Sequence, residues 1–299
     1  MKKQLSAVPA IVLALPLCLS SIALAGDSPE ERLAESIRFK TISYQESEKI
    51  DYGEFARLNA YLREQFPRVF STLEVEEVSG YSLLIRWPGS RPDLEPILFT
   101  AHTDVVPIEG GTEADWAHPP FDGVIADGRV YGRGTLDDKL GVLGLLEAAE
   151  SLLAEDFTPE RSIVFAFGHD EEISGKSGAG KMAELMEARG WQFLWHVDEG
   201  GMVVENNPLL PEKELAIVSV AEKGYLTLTL VATGEGGHSS RPPKQSTIGR
   251  LSVALAKIED NPYPAELVVP VRAMLEAMAP HMDQPARVPT IRVWPAKIR

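Results

Sequence analysis

Two residues with metal-binding chemistry, His102 and Asp104, follow a short apolar run at 97–99. The apolar run predicts a buried strand, so polar chemistry begins where that strand would end. Side chains two positions apart on an extended chain point the same way. Asp104 can therefore accept a hydrogen bond from the imidazole nitrogen that is not bound to a metal. The pair is equally compatible with a strand-end histidine that a neighbouring carboxylate merely satisfies.

Acidic residues follow two further strand-like runs. The run at 161–167 leads into three consecutive carboxylates at 170–172, and the run at 193–197 leads into Asp198. Three adjacent carboxylates after a buried strand would repel one another, and some of their pKa values would rise unless a cation lay among them. The carboxyl ends of strands form the ligand-binding edge of open α/β sheets, so we expect these clusters to meet there.

A fourth acidic pair, Asp137 and Asp138, stands at the start of a helix predicted over 138–153. Carboxylates at a helix N-terminus also complement the helix dipole, which is an ordinary structural explanation for the pair. One histidine and several carboxylates on one edge favour a divalent cation. Zn²⁺ accepts such ligands, and the carboxylates leave room for two ions about 3.5–4 Å apart. Mg²⁺ or Mn²⁺ could use the same oxygens.

Strands and helices alternate along the chain, which predicts an α/β fold. Further helices are predicted over 28–39, 52–66, 178–189 and 247–259, and further strands over 73–76, 81–87, 216–220 and 224–232. A loop at 109–122, rich in proline and aromatic residues, either covers a site or is a plain structural loop. A linker at 208–214 indicates that a second domain follows. His238 lies in a glycine-rich loop of that domain, where sequence alone favours an exposed surface histidine.

The first 25 residues predict a secretory signal peptide, because two lysines precede an apolar segment and an Ala-Leu-Ala motif ends at Ala25. Two prolines and the short length of the segment argue against a membrane span. We therefore expect a secreted or periplasmic protein, cleaved near Ala25. Cys18 is the one cysteine, so the cleaved chain would have no disulfide. A formal net charge of −15 argues against nucleic acid or an anionic membrane as a partner.

Five motifs, taken in order, resemble the M20 metallopeptidase family, in particular its carboxypeptidase S and N-fatty-acyl-amino-acid synthase/hydrolase branch. The motifs are residues 101–104, 132–139, 170–172, 198–201 and 237–242. The resemblance extends from about Phe39 to the end of the chain. The M28 aminopeptidases have a similar metal pattern, but they would not be expected to show the second and fifth motifs.

The resemblance implies two domains after the signal peptide. A zinc-peptidase catalytic domain, with a mixed sheet flanked by helices, would occupy 26–214. A smaller α+β lid of ferredoxin-like fold, incomplete here, would occupy 215–299 and could form a homodimer. The family takes a last zinc-ligating histidine from a segment after the lid. We therefore expect a C-terminally truncated chain, ending at Arg299, in which one metal site lacks a ligand.

The resemblance also implies a site with two Zn²⁺ ions. Asp137 would bridge the ions, His102 and Asp198 would complete one of them, and Glu172 would join the other. No other cofactor is implied.

Three further residues would have catalytic roles by the same resemblance. Glu171 would be the general base that activates the water and then protonates the leaving amine. Asp104 would orient the zinc-binding imidazole, and His238 of the lid would stabilise the oxyanion.

The implied activity is zinc-dependent hydrolysis of a C-terminal peptide bond or of the amide of an N-acyl amino acid. Two alternatives remain. A catalytically impaired binding protein would keep the fold but would lack turnover because the last ligand is absent. An aminopeptidase similar to the M28 enzymes would require a free amine on its substrate.

Overall fold

The computed structural model describes residues 28–208, 210 and 212–282, so the predicted signal peptide lies outside the described residues. The chain divides into two compact units, one that ends at Glu199 and one that begins at Gly200. The domain boundary predicted after residue 214 stays a prediction. Within the described ranges, none of the helices has the length and apolar character that crossing a bilayer requires.

The first unit alternates strands and helices, as the sequence predicted. Its helices are α1 (Pro29–Ile37), α2 (Tyr52–Gln65), α3 (Pro67–Thr72), α4 (Leu140–Ala154) and α5 (Ala179–Ala188). Its strands are β1 (Glu74–Val78), β2 (Ser82–Trp87), β3 (Ile97–His102), β4 (Val124–Ala126), β5 (Arg129–Tyr131), β6 (Ile163–Gly168) and β7 (Trp195–Val197). Helix α3 and strand β4 were not predicted. The boundaries of the elements that were predicted agree with the structure to within a few residues, and the α/β fold class is confirmed.

The main sheet has the strand order β1-β2-β6-β3-β7. Strands β6 and β7 run parallel to β3, whereas β2 runs antiparallel to both β1 and β6. The sheet is therefore mixed, as expected. His102 pairs with Gly168, and Phe99 pairs with Val197. The carboxyl ends of β3, β6 and β7 consequently lie at one edge of the sheet, which we call the acidic edge.

Alternating side chains bury the two faces of this sheet against different helices. On one face, Ile85 lies in a core with Leu62 of α2 and Leu146 of α4. On the other face, Val164 lies in a core with Met182 of α5. Burying one such side chain contributes roughly 1.5–3 kcal/mol, so the central strands are held firmly from both sides.

Helix α1 is joined to the segment that carries the acidic pair. Ser28 accepts a hydrogen bond from the backbone nitrogen of Glu31 at 3.3 Å and caps the start of the helix. At the other end of the helix, the buried Lys139 Nζ donates to the carbonyls of Ser36 (2.8 Å) and Phe39 (2.7 Å). Burial lowers the pKa of Lys139 to about 7. Lys139 directly follows Asp138, so these bonds tie the acidic pair to the body of the first unit.

The described part of the second unit has regular elements that differ in part from those that the sequence predicted. It has the antiparallel strands β8 (Met202–Val204) and β9 (Leu215–Ile217), and the helices α6 (Thr247–Glu259) and α7 (Val269–Met278). Helix α6 confirms the prediction, but the strand predicted over 224–232 was wrong. Alternation gives those residues β propensity, yet a strand also needs a paired backbone. Leu226 and Leu228 lie exposed instead. The ferredoxin-like lid and the homodimer stay predictions.

Candidate metal centre

Three strand ends and the segment before α4 bring imidazole and carboxylate groups together at the acidic edge. His102 is the last residue of β3, and the turn at 171–173 follows β6. His102, Asp137 and Glu172 each offer a ligand atom, and the three atoms lie within 4.8 Å of one another. Three of the four predicted ligands therefore meet.

A second group with the same spacing consists of His102, Asp138 and Glu199. Sequence reasoning did not select Asp138 or Glu199 as ligands. Each directly follows a predicted ligand, so the doubled acidic residues were the available signal. Which of two adjacent side chains turns inward depends on the backbone of the turn, and the residue types alone do not give that.

The His102 imidazole is buried, with 2% of its surface exposed, and both ring nitrogens face acceptors. Nδ1 lies 3.0 Å from the backbone oxygen of Asp104 and 3.3 Å from its Oδ1. Nε2 lies 2.9 Å from Asp137 Oδ1, 3.5 Å from Glu199 Oε1 and 3.9 Å from Glu171 Oε2. A histidine held at Nδ1 in this way presents Nε2 in a fixed direction, which is the arrangement found behind metal-binding imidazoles.

Asp104 is fully buried and also organises the turn after β6. Its Oδ2 accepts hydrogen bonds from Ser43 Oγ at 2.7 Å and from the backbone nitrogen of Glu172 at 3.1 Å. Its Oδ1 accepts one from the backbone nitrogen of Glu171 at 3.1 Å. Asp104 therefore connects β3 to the residues predicted as base and ligand. The sequence indicated its contact with His102 but not this second contact.

Crowding and burial alter the acidity of the cluster in the direction that the sequence predicted. Burial, reinforced by the negative charge of Asp137, raises the pKa of Glu172 to about 7. Burial likewise raises the pKa of Glu199 to about 7 and that of Asp138 to about 6. The pKa of Glu171 is raised for the same reason. These carboxylates would all be stabilised in their charged form by a cation among them.

The pKa of His102 is also raised, which for an imidazole favours the charged form. Burial lowers the pKa of the imidazole, but the hydrogen bond and charge of Asp104, together with Glu199 and Glu171, outweigh burial and raise this pKa to about 10. A proton on His102 thus stabilises the surrounding carboxylates. A metal ion bound to Nε2 would replace that proton and serve the same electrostatic purpose.

Two buried carboxylate oxygens, Asp138 Oδ2 and Glu172 Oε1, have no hydrogen-bond partner. Leaving a buried polar atom unpaired costs about 1–3 kcal/mol, and more for a charged group. Glu172 and Asp138 belong to different groups, so a divalent cation bound by each group would give each carboxylate the partner that it lacks. One imidazole and several carboxylates are ligands that suit Zn²⁺ or Mn²⁺. The residues present therefore fit a bound divalent cation.

Asp198, the fourth predicted ligand, belongs to neither of the two groups. Its Oδ1 accepts a hydrogen bond from Thr100 Oγ1 at 2.5 Å. Asp198 lines a cavity of about 230 Å³ that also reaches His102 and Glu171, so it lies beside the acidic edge. Its role as a ligand stays a prediction.

His238, the predicted oxyanion residue, lies in the second unit. The residue is exposed, and its Nδ1 is 2.9 Å from Ser240 Oγ. Its catalytic role also stays a prediction.

Comparison with known proteins confirms the predicted family. Residues 98–290 match the model of peptidase family M20/M25/M40. N-fatty-acyl-amino acid synthase/hydrolase PM20D1 of Mus musculus is 39% identical over 268 residues, which are 89% of this chain and 52% of that protein. Probable carboxypeptidase S-like 2 of Dictyostelium discoideum is 39% identical over 283 residues, which are 92% of this chain and 52% of that protein.

Among solved structures, human carnosine dipeptidase 1 is similar at 24% identity with a TM-score of 0.43, over 52% of this chain and 34% of that one. The chain spans about half the length of the curated relatives it matches. The family match covers more than half of this chain and includes the whole acidic edge. The chain therefore belongs to the M20/M25/M40 peptidase family.

Proposed function

We propose that the protein is a zinc-dependent hydrolase that cleaves a C-terminal peptide bond or the amide of an N-acyl amino acid. The observation that carries this proposal is that ligand atoms of His102, Asp137 and Glu172 lie within 4.8 Å of one another. One oxygen of this group, Glu172 Oε1, is buried and has no hydrogen-bond partner. The names of the two relatives supply the substrate classes, one a carboxypeptidase and the other an N-fatty-acyl-amino acid hydrolase. Both kinds of substrate have an amide bond close to a free carboxylate.

The proposed ligands of two Zn²⁺ ions are His102, Asp137, Glu172 and Asp198, with Asp137 shared between the ions. Support for Asp198 comes from Thr100, which binds one of its oxygens and lies two residues before His102 on β3. The Thr100 and His102 side chains thus point to the same face of the strand. When bound, the metal would polarise the scissile carbonyl and lower the pKa of the attacking water.

Glu171 lies where a general base would act. Its side chain is 53% exposed, and Oε2 lies 3.9 Å from His102 Nε2. The bond from its backbone nitrogen to Asp104 fixes the residue at the acidic edge. Burial and neighbouring carboxylates raise its pKa above the ordinary value of a glutamate. A carboxylate of this kind can accept a proton from water and return it to the departing amine.

Two further parts of the proposal rest on the sequence. Residues 1–25 would direct the protein to the periplasm or the exterior, and His238 would stabilise the oxyanion from the lid. Processing near Ala25 would be read from the N-terminal sequence of the secreted protein. A His238→Gln variant would be expected to lower the hydrolysis rate about 100-fold, because one donor to the oxyanion is lost.

The central test replaces Glu171 by Gln and measures hydrolysis of peptides and N-acyl amino acids in the presence of Zn²⁺. We expect the rate to fall roughly 100- to 10,000-fold while bound zinc is unchanged by elemental analysis. The matched control is Glu184→Gln, which removes an exposed carboxylate from α5. An unchanged rate in Glu171→Gln, or activity that survives thorough chelation, would contradict the proposal. Substrate binding without turnover in the wild type would indicate the non-catalytic alternative.

A further inference from the structure

Backbone pairing between β3 and β7 stops before the acidic residues that follow β7. The last pair in their register is Phe99 with Val197. On the other side of β3, the register with β6 continues as far as His102. The ladder of β7 therefore ends one residue before Asp198, so contacts of the side chain itself have to orient the Asp198 carboxylate.

One hydroxyl group connects the two strands beyond the last backbone pair. Thr100 Oγ1 lies 2.5 Å from Asp198 Oδ1 and 2.8 Å from His196 Nε2. His196 and Asp198 are two positions apart, so both side chains lie on the same side of β7. Together with Thr100 and His102, they line the cavity of about 230 Å³ at the acidic edge.

The direction of these two hydrogen bonds follows from the number of hydrogens available. A threonine hydroxyl has one hydrogen, and an ionised carboxylate can only accept. The Thr100 hydroxyl donates that hydrogen to Asp198 and has only lone pairs left for His196. Nε2 of His196 therefore carries a hydrogen and donates it to Thr100. A hydroxyl that accepts one hydrogen bond donates a stronger one, so the imidazole reinforces the bond to Asp198.

We propose that His196 is a positioning residue of the metal centre, which acts through the Thr100 hydroxyl to orient the Asp198 carboxylate. The inference rests on the proposed function, because it takes Asp198 as a zinc ligand. A threonine hydroxyl rotates freely about its C–O bond, and a donor on its lone pairs fixes that rotation. With Oδ1 of Asp198 held in this way, Oδ2 is the oxygen that would bind the cation. His196 itself would contact neither the metal nor the substrate.

An exposed histidine can also form a hydrogen bond that has no consequence for a site. His281 is exposed, for example, and its Nδ1 lies 3.1 Å from Lys213 Nζ. His196 is exposed too, but its partner Thr100 is half-buried and binds a carboxylate next to the candidate metal centre. The bond also joins two strands at the point where their backbone pairing has ended. These two features favour a positioning role.

The test measures zinc affinity of the 299-residue chain without substrate, by competition with a fluorescent chelator. His196→Leu keeps apolar bulk but has no hydrogen to donate, so we expect zinc affinity to fall about tenfold. Thr100→Val should cause a loss of the same size. His196→Gln places an amide N–H near the position of Nε2 and should restore affinity to within about threefold of the wild type.

Two further variants show where His196 acts. In an Asp198→Asn background, His196→Leu should change zinc affinity by less than about twofold, because no carboxylate ligand is left to orient. Trp195→Leu is the matched control, since it replaces the adjacent residue on the opposite side of β7. We expect it to change zinc affinity by less than about threefold. If His196→Leu does not fold, as judged by circular dichroism, His196→Ala takes its place with the same expectations.

Four results would overturn the inference. The first is unchanged zinc affinity in His196→Leu, and the second is a loss that His196→Gln does not restore. The third is a full loss that persists in the Asp198→Asn background, which would mean that His196 acts on another residue. The fourth is an equal loss in Trp195→Leu, which would indicate a general disturbance of β7.

The inference and the proposed function fail in different ways. A protein that binds zinc in a manner dependent on His196 but hydrolyses no amide would refute only the function. A protein that hydrolyses amides, and whose zinc affinity is the same in His196→Leu, would refute only the inference. Absence of zinc binding by the wild type would refute both.

Discussion

The two halves of the acidic edge differ in how deeply they are buried and in how many hydrogen bonds fix them. At the ends of β3 and β6, His102 and Asp104 are buried, and Asp104 accepts hydrogen bonds from three other residues. At the end of β7, Asp198 and Glu199 follow a strand in which Trp195 is 63% exposed. Helices cover both faces of the central strands, whereas β7 is the edge strand. One half of the site is thus part of the core, and the other depends on local bonds.

Replacing Asp104 by Ala should have the largest effect on stability. The hydroxyl of Ser43 and two backbone N–H groups would lose their acceptor in a buried place, so we expect the free energy of unfolding to fall by about 3–5 kcal/mol. Urea denaturation of the metal-free protein measures this loss. Asp198→Ala is the matched variant in the exposed half and should cost less than about 1 kcal/mol. Equal losses would show that the two halves do not differ.

Removing the metal should destabilise the protein more as the pH rises. The folded-state pKa values of Glu172 and Glu199 are raised to about 7, that of Asp138 to about 6 and that of His102 to about 10. A group whose pKa is raised on folding stabilises the folded protein fully at a pH below its unfolded pKa, which is near 4 for carboxyls and 6.5 for histidine. That stabilisation is lost as the pH rises through the folded-state pKa.

Melting temperatures with chelator and with Zn²⁺, taken from pH 5 to pH 8, test this expectation. Zn²⁺ competes with protons for these groups, so its affinity should increase with pH. The gap, which is the difference in melting temperature between the Zn²⁺ and the chelator samples, should therefore also increase with pH. At metal concentrations 1,000 times the dissociation constant, the stabilisation would be about 4 kcal/mol. A gap that is constant or that narrows towards pH 8 would mean that these groups do not bind the metal.

Replacing Asp198 by Asn distinguishes the two acidic residues after β7. Loss of a residue that only hydrogen-bonds to a metal ligand lowers metal affinity roughly 10- to 100-fold. If Asp198 is itself the ligand, zinc affinity should fall by more than this. Glu199→Gln should then change zinc affinity less than tenfold. Competition with a fluorescent chelator gives both values. The reverse order would assign the ligand to Glu199, whose Oε1 lies 3.5 Å from His102 Nε2.

Replacing Thr100 by Val should give the smallest effect. The variant keeps the shape of the side chain and removes the hydroxyl that binds Asp198 Oδ1. Zinc affinity is expected to fall about tenfold, because Asp198 would lose its orientation but remain present. Combining Thr100→Val with Asp198→Asn should add nothing to the second substitution alone. Full additivity in this double-mutant cycle would show that Thr100 acts through another residue.

Local sequence pattern was sufficient to predict the strands of the main sheet and the acidic edge, because apolar runs and the polar residues after them are local features. His102, Asp137 and Glu172 were placed together on that basis and by family resemblance. Contacts between segments that are distant in the sequence could not be predicted from local pattern. Among the residues that the structure describes, segment 224–232 pairs with no other segment. The bonds from Ser43 and the 171–172 backbone to Asp104 arise only when β3 and β6 are neighbours.

Calorimetric titration of the metal-free protein with Zn²⁺, with and without His102→Gln, tests most directly whether these strand ends form a cation site. We predict tight binding by the wild type, with release of protons, and loss of that binding in the variant. His281→Gln, an exposed histidine of the second unit, is the control and should bind as the wild type does. Equal zinc affinity in His102→Gln, or no binding by the wild type, would contradict a metal centre at the acidic edge.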